Sequence, residues 1–514
     1  VWRSDNRGDA WRPVSPDLTK DEDRLLLPVM GRKWSSTAPW DLTAMSNYNT
    51  ITSLAESPVQ EGLLWAGTDD GLLQVSTDGG ENWKAIPVGN LPGVPATAFV
   101  NDIKADLFDA DTVYVCLDNH KYGDFKPYLM KSTNRGTTWT SLAGNLPDRH
   151  LVWRLVQDHV KKDLLFLATE FGIFFTIDGG TTWFELEGGL PTISFRDLAI
   201  QRRDNDLVGA SFGRGFYVLD DYSPLREVSE QTLEQEAALF PMRETPWYIQ
   251  RRPLGQGGQA SQGGSYYIAE NPPFGAVFTY HLAEELKTLE DTRRESEKKL
   301  EKEWKDTPYV GYDALERERR QPKPTMVLTI RDASGEIVRT LTAPAKKGFH
   351  RVAWDLTYPT SSAIRGVSEG GWGGGRGNRD PNSGFMAPPG SYTVTLSKKV
   401  DGVVTEVAGP VDFEVTRVFK GTLEGTSPTE TALYMAEVAV LQRGVSAASQ
   451  AVALGFKTVE YLEKALARST VDPGTLDAEV ETFKQQLYDI STALSGKRSM
   501  RAMGEPQSPT VSAR

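Results

Sequence analysis

One stretch of this chain reads Ser76-Thr77-Asp78-Gly79-Gly80-Glu81-Asn82-Trp83, and three further stretches repeat its pattern. The other copies span Ser4–Trp11, Ser132–Trp139 and Thr176–Trp183. Each copy has Ser or Thr first, Asp or Asn third, Gly fifth and Trp eighth. A pattern that returns at intervals along a chain indicates a repeated structural unit.

Each part of this pattern, which is known as the Asp-box, has a physical role in a tight turn. The short polar side chains accept hydrogen bonds from nearby backbone N–H groups, and the glycine accepts a positive φ. The tryptophan returns the chain to a strand and supplies a large apolar anchor. We therefore predict one such turn per blade of a β-propeller. The residues with this structural role are Asn6, Trp11, Asp78, Trp83, Asn134, Trp139, Asp178 and Trp183.

The strand-like stretches around the boxes extend this prediction to residues 1–225. Three units with a complete set of strands follow a truncated first unit, and one further unit lacks a box. Because Val1-Trp2-Arg3 has the character of a strand end, we expect the blades to be incomplete. An open ring would leave strand edges exposed. We therefore expect an upstream propeller half as a partner, either in the same polypeptide or in a cleaved chain.

The sequence changes in character after the blades. Residues 226–271 are polar and partly rich in Gly and Gln, which predicts a linker. Residues 272–420 contain short alternating strands, which are typical of an immunoglobulin-like β-sandwich. This sandwich carries two expected insertions, a charged helical segment at 282–320 and a Gly-rich loop at 366–384.

The last part of the chain, residues 421–498, has the apolar periodicity of helices. The pattern predicts helices at Glu430–Leu454, Thr458–Arg468 and Gly474–Leu494, while residues 499–514 are expected to be disordered. The predicted fold class is therefore mainly β, with propeller blades first, then an immunoglobulin-like β-sandwich, then a helical hairpin or bundle.

The composition excludes several classes of function. The chain has 514 residues and a formal net charge of −12, which disfavours nucleic acid and anionic membranes as partners. Its single cysteine, Cys116, rules out a disulfide framework within the chain and a cysteine zinc site. No apolar run is long enough to span a bilayer, so we expect no transmembrane segment. No motif indicates a metal or a cofactor.

Several motifs resemble those of a known family. The boxes, the stretch Gly67–Leu72 and the stretch Phe212–Asp221 are similar to bacterial sortilin-like (Vps10-type) Asp-box propeller proteins. The resemblance implies an appended small β-sandwich, a helical tail, and a secreted, periplasmic or cell-surface location. Such proteins are often labelled glycosyl hydrolases from the repeat alone. The cysteine-rich modules of sortilin are absent here, which argues against a neurotensin-type receptor role.

The repeat also predicts a functional face. If the Asp-box joins the third and fourth strands of a blade, the turn between strands two and three lies on the opposite side, beside the connections between blades. Carboxylates and arginines there suit capture of sugar hydroxyls, a carboxylate or a peptide. The alternative is that Asp-Asp-Gly is only good turn chemistry and that Arg214 only ties two blades together. The candidate ligand-binding residues are Asp69, Asp70, Asp118, His120, Arg154, Glu170, Arg196 and Arg214.

Two classes of function remain open from the sequence. The first is an extracytoplasmic binding or scaffolding propeller that captures a glycan or a protein. The second is a glycoside hydrolase of the sialidase or xyloglucanase kind, which needs two carboxylates about 5 to 10 Å apart. No pair of carboxylates stands apart from turn chemistry, so the catalytic residues stay unknown and binding is favoured.

Overall fold

The computed structural model describes residues 1–28, 31–38, 48–250, 269–364, 383–419, 421–422, 425–507 and 510–511. The chain forms two compact units, Val1–Thr232 and Leu233–Arg514. Among the described residues, no helix combines the length and the apolar character that crossing a membrane requires.

The first unit consists of antiparallel sheets that follow one another along the chain. A two-stranded ladder comes first, followed by three sheets of four strands and one of three, and strands adjacent in the chain are adjacent in each sheet. We number the sheets that begin at β3, β7, β11 and β15 as blades 1 to 4. The strands are β1 (Trp2–Arg3), β2 (Arg12–Pro13), β3 (Ile51–Glu56), β4 (Leu64–Thr68), β5 (Leu72–Ser76), β6 (Lys84–Pro87), β7 (Phe99–Ala105), β8 (Val113–Asn119), β9 (Asp124–Ser132), β10 (Thr140–Ser141), β11 (Val152–Gln157), β12 (Leu165–Thr169), β13 (Gly172–Thr176), β14 (Phe184–Glu185), β15 (Phe195–Gln201), β16 (Asp206–Ser211) and β17 (Phe216–Leu219).

Neighbouring blades share apolar cores. Strands β8 and β12 are buried along their whole length, as expected for continuous apolar strands with a sheet packed on each face. The first strands of successive blades also contact one another. Consecutive antiparallel sheets packed in this way are the blades of a β-propeller. The cores contain Trp65 and Ile86 with Val115 and Met130, then Cys116 and Leu129 with Leu165 and Phe174, then Phe166 with Phe195 and Leu207.

All four Asp-boxes have the same hydrogen-bond geometry. The hydroxyl at the first position accepts a bond from the glycine N–H at 2.7–3.1 Å. The Oδ1 atom at the third position accepts one from the N–H four residues later at 2.8–3.0 Å. The donors to Asn6, Asp78, Asn134 and Asp178 are the N–H groups of Ala10, Asn82, Thr138 and Thr182, in that order. Their side-chain oxygens therefore stabilise the turn.

The boxes also join each blade to the one before it. Trp83 Nε1 donates to the carbonyl of Val14 at 3.2 Å, and Trp183 Nε1 donates to the carbonyl of Leu142 at 2.8 Å. Val14, Ile86 and Leu142 each lie three residues after the tryptophan of the preceding box. Each of these three residues packs against the glycine of the next box, Val14 through its carbonyl oxygen and Ile86 and Leu142 through their side chains. A Cβ placed on Gly80, Gly136 or Gly180 would lie 2.4 Å from Val14 O, 2.6 Å from Ile86 Cδ1 or 3.0 Å from Leu142 Cδ1.

The second unit contains a two-sheet sandwich. A three-stranded sheet with the order β18-β20-β23 and a five-stranded sheet with the order β19-β27-β26-β21-β22 share one core. In it the Phe278 and Phe413 rings lie 5.4 Å apart. The immunoglobulin-like assignment of this sandwich stays a prediction. The strands are β18 (Ala237–Leu239), β19 (Thr245–Trp247), β20 (Ala276–Leu282), β21 (Thr325–Asp332), β22 (Ile337–Ala343), β23 (Gly348–Trp354), β24 (Thr357–Pro359), β25 (Ser383–Met386), β26 (Gly390–Val400) and β27 (Val403–Arg417).

Helices complete both units. Residues Glu230–Glu234 of α1 span the boundary between the units, and α2 and α3 occupy the expected insertion at 282–320. Helices α4 and α5 pack against each other at the end of the chain. The bounds are α1 (Glu230–Glu234), α2 (Leu289–Lys302), α3 (Tyr312–Arg320), α4 (Pro428–Ala467), α5 (Leu476–Ser495) and α6 (Arg498–Ala502).

The segment expected to be a linker, residues 226–271, contains structure in its first half. Strand β18 pairs with β20, and β19 pairs in parallel with β27. Strands of three residues are too short for alternation to be visible in the sequence, and their partners are distant in the chain. Residues 251–268 of this segment, and 366–382 of the expected Gly-rich loop, lie outside the described residues.

The helical tail differs from the prediction at two places. A single helix, α4, runs through the break expected near Gly455, because this glycine gives room to α5: a Cβ there would lie 2.8 Å from Leu487 Cδ2. The glycine therefore marks close helix packing and not a helix end. The segment 499–514, expected to be disordered, begins inside α6, while residues 508–509 and 512–514 lie outside the described part.

Candidate functional site

The turns between the second and third strands of each blade lie on one side of the sheets. Antiparallel strands that follow one another place successive turns at alternate ends, so these turns lie opposite the Asp-boxes, which join strands three and four. We call this side the turn face. Two adjoining cavities open on the turn face of blades 2 to 4, and both are lined by predicted site residues.

The larger cavity has a volume of about 560 Å³, within the range of small-ligand sites. Its walls combine apolar and aromatic side chains with two carboxylates and two arginines. The residues that line it are His120, Phe125, Asp148, Arg149, Leu151, Trp153, Glu170, Phe171 and Arg196.

The smaller cavity has a volume of about 280 Å³ and shares His120, Trp153 and Arg196 with the larger one. We call the two cavities together the Arg196 site. The residues that line the smaller cavity are Phe99, Asn101, Asp118, His120, Lys121, Trp153, Arg154 and Arg196.

A β-bulge recurs at the same place in the first strand of every blade. The register shifts at Thr52, Asn101, Trp153 and Arg196. A bulge redirects the side chain of the extra residue and is common beside functional sites. In blades 1 and 2 this side chain bonds to the next blade, since Thr52 Oγ1 donates to Val100 O at 2.7 Å and Asn101 Nδ2 donates to Val152 O at 2.8 Å. In blades 3 and 4 the two bulge residues instead contact each other.

Arg196 is the central cation of the site. Its guanidinium lies 3.6 Å from the ring centroid of Trp153 and 5.3 Å from that of Phe212. Aromatic faces attract a cation and hold the flat guanidinium in one orientation. The Arg196 side chain is 42% exposed, and among the described residues it donates no hydrogen bond. Its N–H groups are therefore available to a ligand.

Glu170 is fixed by its neighbours. Its Oε2 atom accepts hydrogen bonds from Trp153 Nε1 and from Ser194 Oγ, both at 3.0 Å, and lies 3.8 Å from Arg196 Nη2. The carboxylate thus orients the Trp153 ring on which Arg196 stacks. This arrangement gives Glu170 a positioning role for the cation.

Two further charged groups, Arg154 and Asp118, lie beside the smaller cavity. Arg154 Nη1 donates a hydrogen bond to Asp102 of blade 2 at 2.8 Å, and Arg154 Nε forms an ion pair with Asp197 of blade 4 at 3.0 Å. Burial raises the pKa of Asp102, although Lys104 and Arg154 oppose this effect. Asp118 is buried, and its Oδ1 atom contacts His120 Nδ1 and accepts a bond from the His120 N–H at 3.1 Å. Arg154 therefore has a structural tie in addition to its place in the cavity wall.

Three predicted residues lie outside the two cavities. Asp69 and Asp70 are buried, and their carboxylates accept hydrogen bonds from Thr50 N at 2.8 Å and from Lys20 N at 2.6 Å. These bonds agree with the turn-chemistry alternative. Arg214 is exposed on the β16–β17 turn and lines neither cavity.

Sequence reasoning missed most of the apolar wall and two cations, Arg149 and Lys121. Arg149 has a φ of +70°, a left-handed conformation that is uncommon for a residue with a side chain and often marks functional sites. Its guanidinium lies 5.9 Å from the ring centroid of Phe125. The available signal was position, because Arg149 and Leu151 lie in the connection just before β11. Phe125 and Trp153 had only a core-like signal, whereas Phe171 lies in a turn that the sequence had placed on the functional face.

No metal centre is apparent in the described ranges, since none of their His, Cys, Asp and Glu side chains form a group of three that could hold an ion. The two histidines near the cavities, His120 and His150, make different contacts and do not form a common site. His120 bonds to Asp118, whereas the His150 ring packs edge-on against Phe171 and Phe174 at 5.3 and 5.6 Å.

Comparison with known proteins gives limited similarity. No protein-family profile matches the chain, and no curated protein sequence matches it. Among solved structures, a GH74 xyloglucanase from Xanthomonas campestris is 16% identical with a TM-score of 0.28, over 34% of this chain and 29% of that chain. YCF48 from Cyanidioschyzon merolae is 18% identical with a TM-score of 0.25, over 33% of this chain and 52% of that chain.

A third structure is the extracellular domain of a hybrid two-component system from B. thetaiotaomicron, which is 10% identical with a TM-score of 0.28, over 73% of this chain and 39% of that chain. The chain covers less than a third of the GH74 structures that it resembles, at 22% and 29% of their lengths. At these levels the similarities support no inference about activity, and the propeller assignment depends on the order and packing of the sheets.

Proposed function

We propose that this protein is an extracytoplasmic binding propeller that captures a glycan or a protein ligand at the Arg196 site, without cleaving it. The observation that carries the proposal is the Arg196 guanidinium, which stacks 3.6 Å from Trp153, lies at ion-pair distance from Glu170 and donates no hydrogen bond to the described residues. Arginine in a fixed orientation recognises carboxylates and other planar acceptors. A ligand with such a group would find its cation already in place.

The surroundings of Arg196 support capture of a partly apolar ligand. The larger cavity pairs Arg149 and Arg196 with the aromatic side chains of Phe125 and Phe171, which are 43% and 40% exposed. Apolar walls with a few fixed polar groups are typical of ligand sites, because the walls supply affinity and the polar groups supply orientation. Sugar rings and apolar peptide side chains both fit this combination.

One observation favours the hydrolase alternative. Asp148 and Glu170 both line the larger cavity, and glycoside hydrolysis uses a pair of carboxylates. However, Glu170 Oε2 is already engaged by Trp153 and Ser194. If the protein were a glycosidase, Glu170 would have to break its hydrogen bonds with Trp153 and Ser194 before this oxygen could act on a substrate.

The test is binding of the purified chain to arrays of acidic and neutral oligosaccharides and of peptides. We expect Arg196→Ala to weaken capture of the bound ligand by about tenfold or more, the usual loss for a charged hydrogen bond. Arg202→Ala is the matched control, since Arg202 is an exposed arginine of the same blade on the opposite side. Equal binding by both variants would exclude the Arg196 site.

A second measurement separates capture from cleavage. Any oligosaccharide that binds is incubated with the native chain and with Glu170→Gln, and its reducing ends are measured. We expect no release by either protein. Release by the native chain that Glu170→Gln abolishes would establish the hydrolase and overturn capture without cleavage.

A further inference from the structure

Two cations besides Arg196 lie on aromatic rings in the walls of the Arg196 site. Lys121 Nζ is 4.9 Å from the ring centroid of Phe99, and the Arg149 guanidinium is 5.9 Å from that of Phe125. Within the described residues, neither cation donates a side-chain hydrogen bond or pairs with a carboxylate. An aromatic face attracts a cation through its ring electrons and supplies no carboxylate or carbonyl oxygen. Both cations can therefore still bind an oxygen of a ligand.

The three cations are distributed over both cavities. Arg149 lines the larger cavity, Lys121 lines the smaller one, and Arg196 lines both. Arg196 has the Glu170 carboxylate at 3.8 Å but donates no hydrogen bond to the described residues. A ligand that extends from one cavity into the other therefore meets all three cations.

Most carboxylates in the same walls already have partners. Glu170 Oε2 accepts two hydrogen bonds, and the buried Asp118 contacts His120. Asp148 is then the one lining carboxylate without a hydrogen bond to its side chain in the described part of the chain. Arg154, the fourth cation of the walls, is paired with two carboxylates of its own. Three cations without hydrogen-bonded partners thus stand against one such carboxylate.

The chemistry of these free groups favours an anionic ligand. Arg and Lys side chains are donors without an acceptor, whereas a carboxylate is an acceptor without a donor. A sugar hydroxyl donates as well as accepts, so a neutral glycan would need more free acceptors than these walls offer. The formal net charge of −12 opposes an anion only at long range, because charges farther apart than about 8 Å are screened at physiological salt.

The apolar wall of the larger cavity distinguishes between two kinds of anionic ligand. Phe125 is 43% exposed and Phe171 is 40% exposed, and Leu151 lines the same cavity. An acidic sugar carries hydroxyl groups around its ring and would place them against this wall. An apolar peptide side chain would instead remove the wall from water, which is favourable in proportion to the apolar area buried.

We propose that the ligand of the Arg196 site is an acidic peptide segment that spans both cavities. An apolar side chain of the peptide packs against Phe125 and Phe171. Side-chain carboxylates on either side of it bind Arg149 and Arg196 in the larger cavity and Lys121 in the smaller one. This assignment rests on the proposed function and selects one class among the ligands that it allows.

The experiment uses two matched arrays of peptides that are acetylated and amidated, so that only side chains carry charge. In the first array, Asp or Glu flanks Leu, Phe or Trp at separations of zero to three Gly. In the second array, Asn or Gln replaces each acidic residue. We expect the native full chain to bind members of the acidic array and to bind their amide versions at least about tenfold more weakly, since charge-assisted hydrogen bonds are lost.

Variants test the two cations for the acidic peptide that binds best. Fluorescence anisotropy compares the native chain with Arg149→Gln and Lys121→Gln. Each substitution is expected to lower the affinity for the acidic peptide by about fivefold and for its amide version by less than about twofold, the loss of one partly exposed ion pair. A variant with a distorted site would lose both peptides equally. Lys84→Gln is the control, because Lys84 is exposed on β6 of blade 1 and should leave both affinities unchanged.

Three results would overturn the assignment. They are an acidic array without a bound member, amide versions that bind as tightly as the acidic peptides, and trigalacturonate, an acidic sugar, that binds more tightly than any peptide. If Arg196→Ala abolished trigalacturonate binding, capture at the Arg196 site would be confirmed and the ligand class alone would be wrong. If Arg196→Ala changed the binding of no ligand, the proposed function itself would fail.

Discussion

Arg226 forms a bidentate hydrogen bond with the carboxylate of Asp158, which lies 68 residues earlier in the chain, with Nε–Oδ2 at 2.9 Å and Nη2–Oδ1 at 2.8 Å. Tyr222 Oη donates to the same carboxylate at 2.7 Å, and Arg226 Nη2 also donates to Asn205 Oδ1 at 2.8 Å. Asp158 follows the first strand of blade 3, whereas Asn205 lies in the first turn of blade 4. Blade 4 has no Asp-box, and these polar bonds join it to blade 3.

The first prediction is a pH dependence at this junction. Burial alone would raise the pKa of Asp158, but the hydrogen bonds from Arg226, Lys161 N and Tyr222 outweigh it and hold the pKa below its ordinary value of 3.8. A carboxyl with a lowered folded-state pKa stabilises the protein above its unfolded pKa, and this stabilisation is lost as the pH falls through the folded value. We therefore expect the native chain to exceed Asp158→Asn in stability by a constant amount above about pH 5, and by less below about pH 4.

Urea unfolding at several pH values measures this difference. Asp204→Asn is the control, because Asp204 is only partly buried and pairs with the exposed Arg203 at 2.7 Å, so its loss should change stability by less than about 1 kcal/mol. A difference for Asp158→Asn that does not shrink on acidification would contradict the assignment.

The second prediction concerns the close contact between Gly80 and the preceding blade. Gly80 has a φ of +99°, and a Cβ there would lie 2.4 Å from Val14 O. Gly188 has a φ of +101° with no atom within 4 Å, so Gly188→Ala introduces backbone strain without a clash. We expect Gly188→Ala to cost about 1 to 3 kcal/mol and Gly80→Ala to cost more. Thermal unfolding of the two variants compares them, and equal losses would show that the contact adds nothing beyond the backbone conformation.

The third prediction separates the geometry of the Asp-box from its charge. Asp178 Oδ1 accepts hydrogen bonds from Thr181 N and Thr182 N, both at 3.0 Å. Asn134 makes the equivalent bond in the box before it, to Thr138 N at 2.8 Å. We expect Asp178→Ala to lower the Tm by about 2–4 °C, for a net loss of about 1 kcal/mol.

Asp178→Asn keeps the acceptor oxygen and is the matched control, for which we expect less than half of that change in Tm. Ligand capture at the Arg196 site should be unchanged in both variants when they are folded. A loss of capture without a loss of stability would reassign the box to binding.

The blades could be predicted from the sequence because the signals that define them are local. Asp78, Gly80 and Trp83 meet within eight residues, and a continuous apolar strand such as Val113–Asn119 is visible without knowledge of its neighbours. The site is different, since it depends on where bulges fall. Trp153 and Arg196 meet because each occupies the bulge of its strand, and a one-residue shift in register leaves no mark in composition.

The sequence of a turn does not show whether its carboxylate faces a cavity. Asp70 and Glu170 occupy corresponding turns, yet Asp70 is buried and accepts a hydrogen bond from Lys20 N, fifty residues earlier in the chain. Glu170 instead lines the larger cavity. Gly455 shows the same limit in a helix, because its partner Leu487 lies on α5. Such residues acquire their roles from long-range contacts that local patterns do not encode.

The contact between successive blades gives each blade a standard pair of surfaces. Box tryptophans are separated by 72, 56 and 44 residues, so the loops vary, while the glycine of one box always meets the residue three places after the tryptophan of the box before. A segment that runs from one box to the next therefore contains both contact surfaces, the residue that packs against the following box and the glycine that packs against the preceding one. Duplication or loss of such a segment in the gene would leave compatible surfaces on either side, which makes blade number in this architecture open to change by recombination.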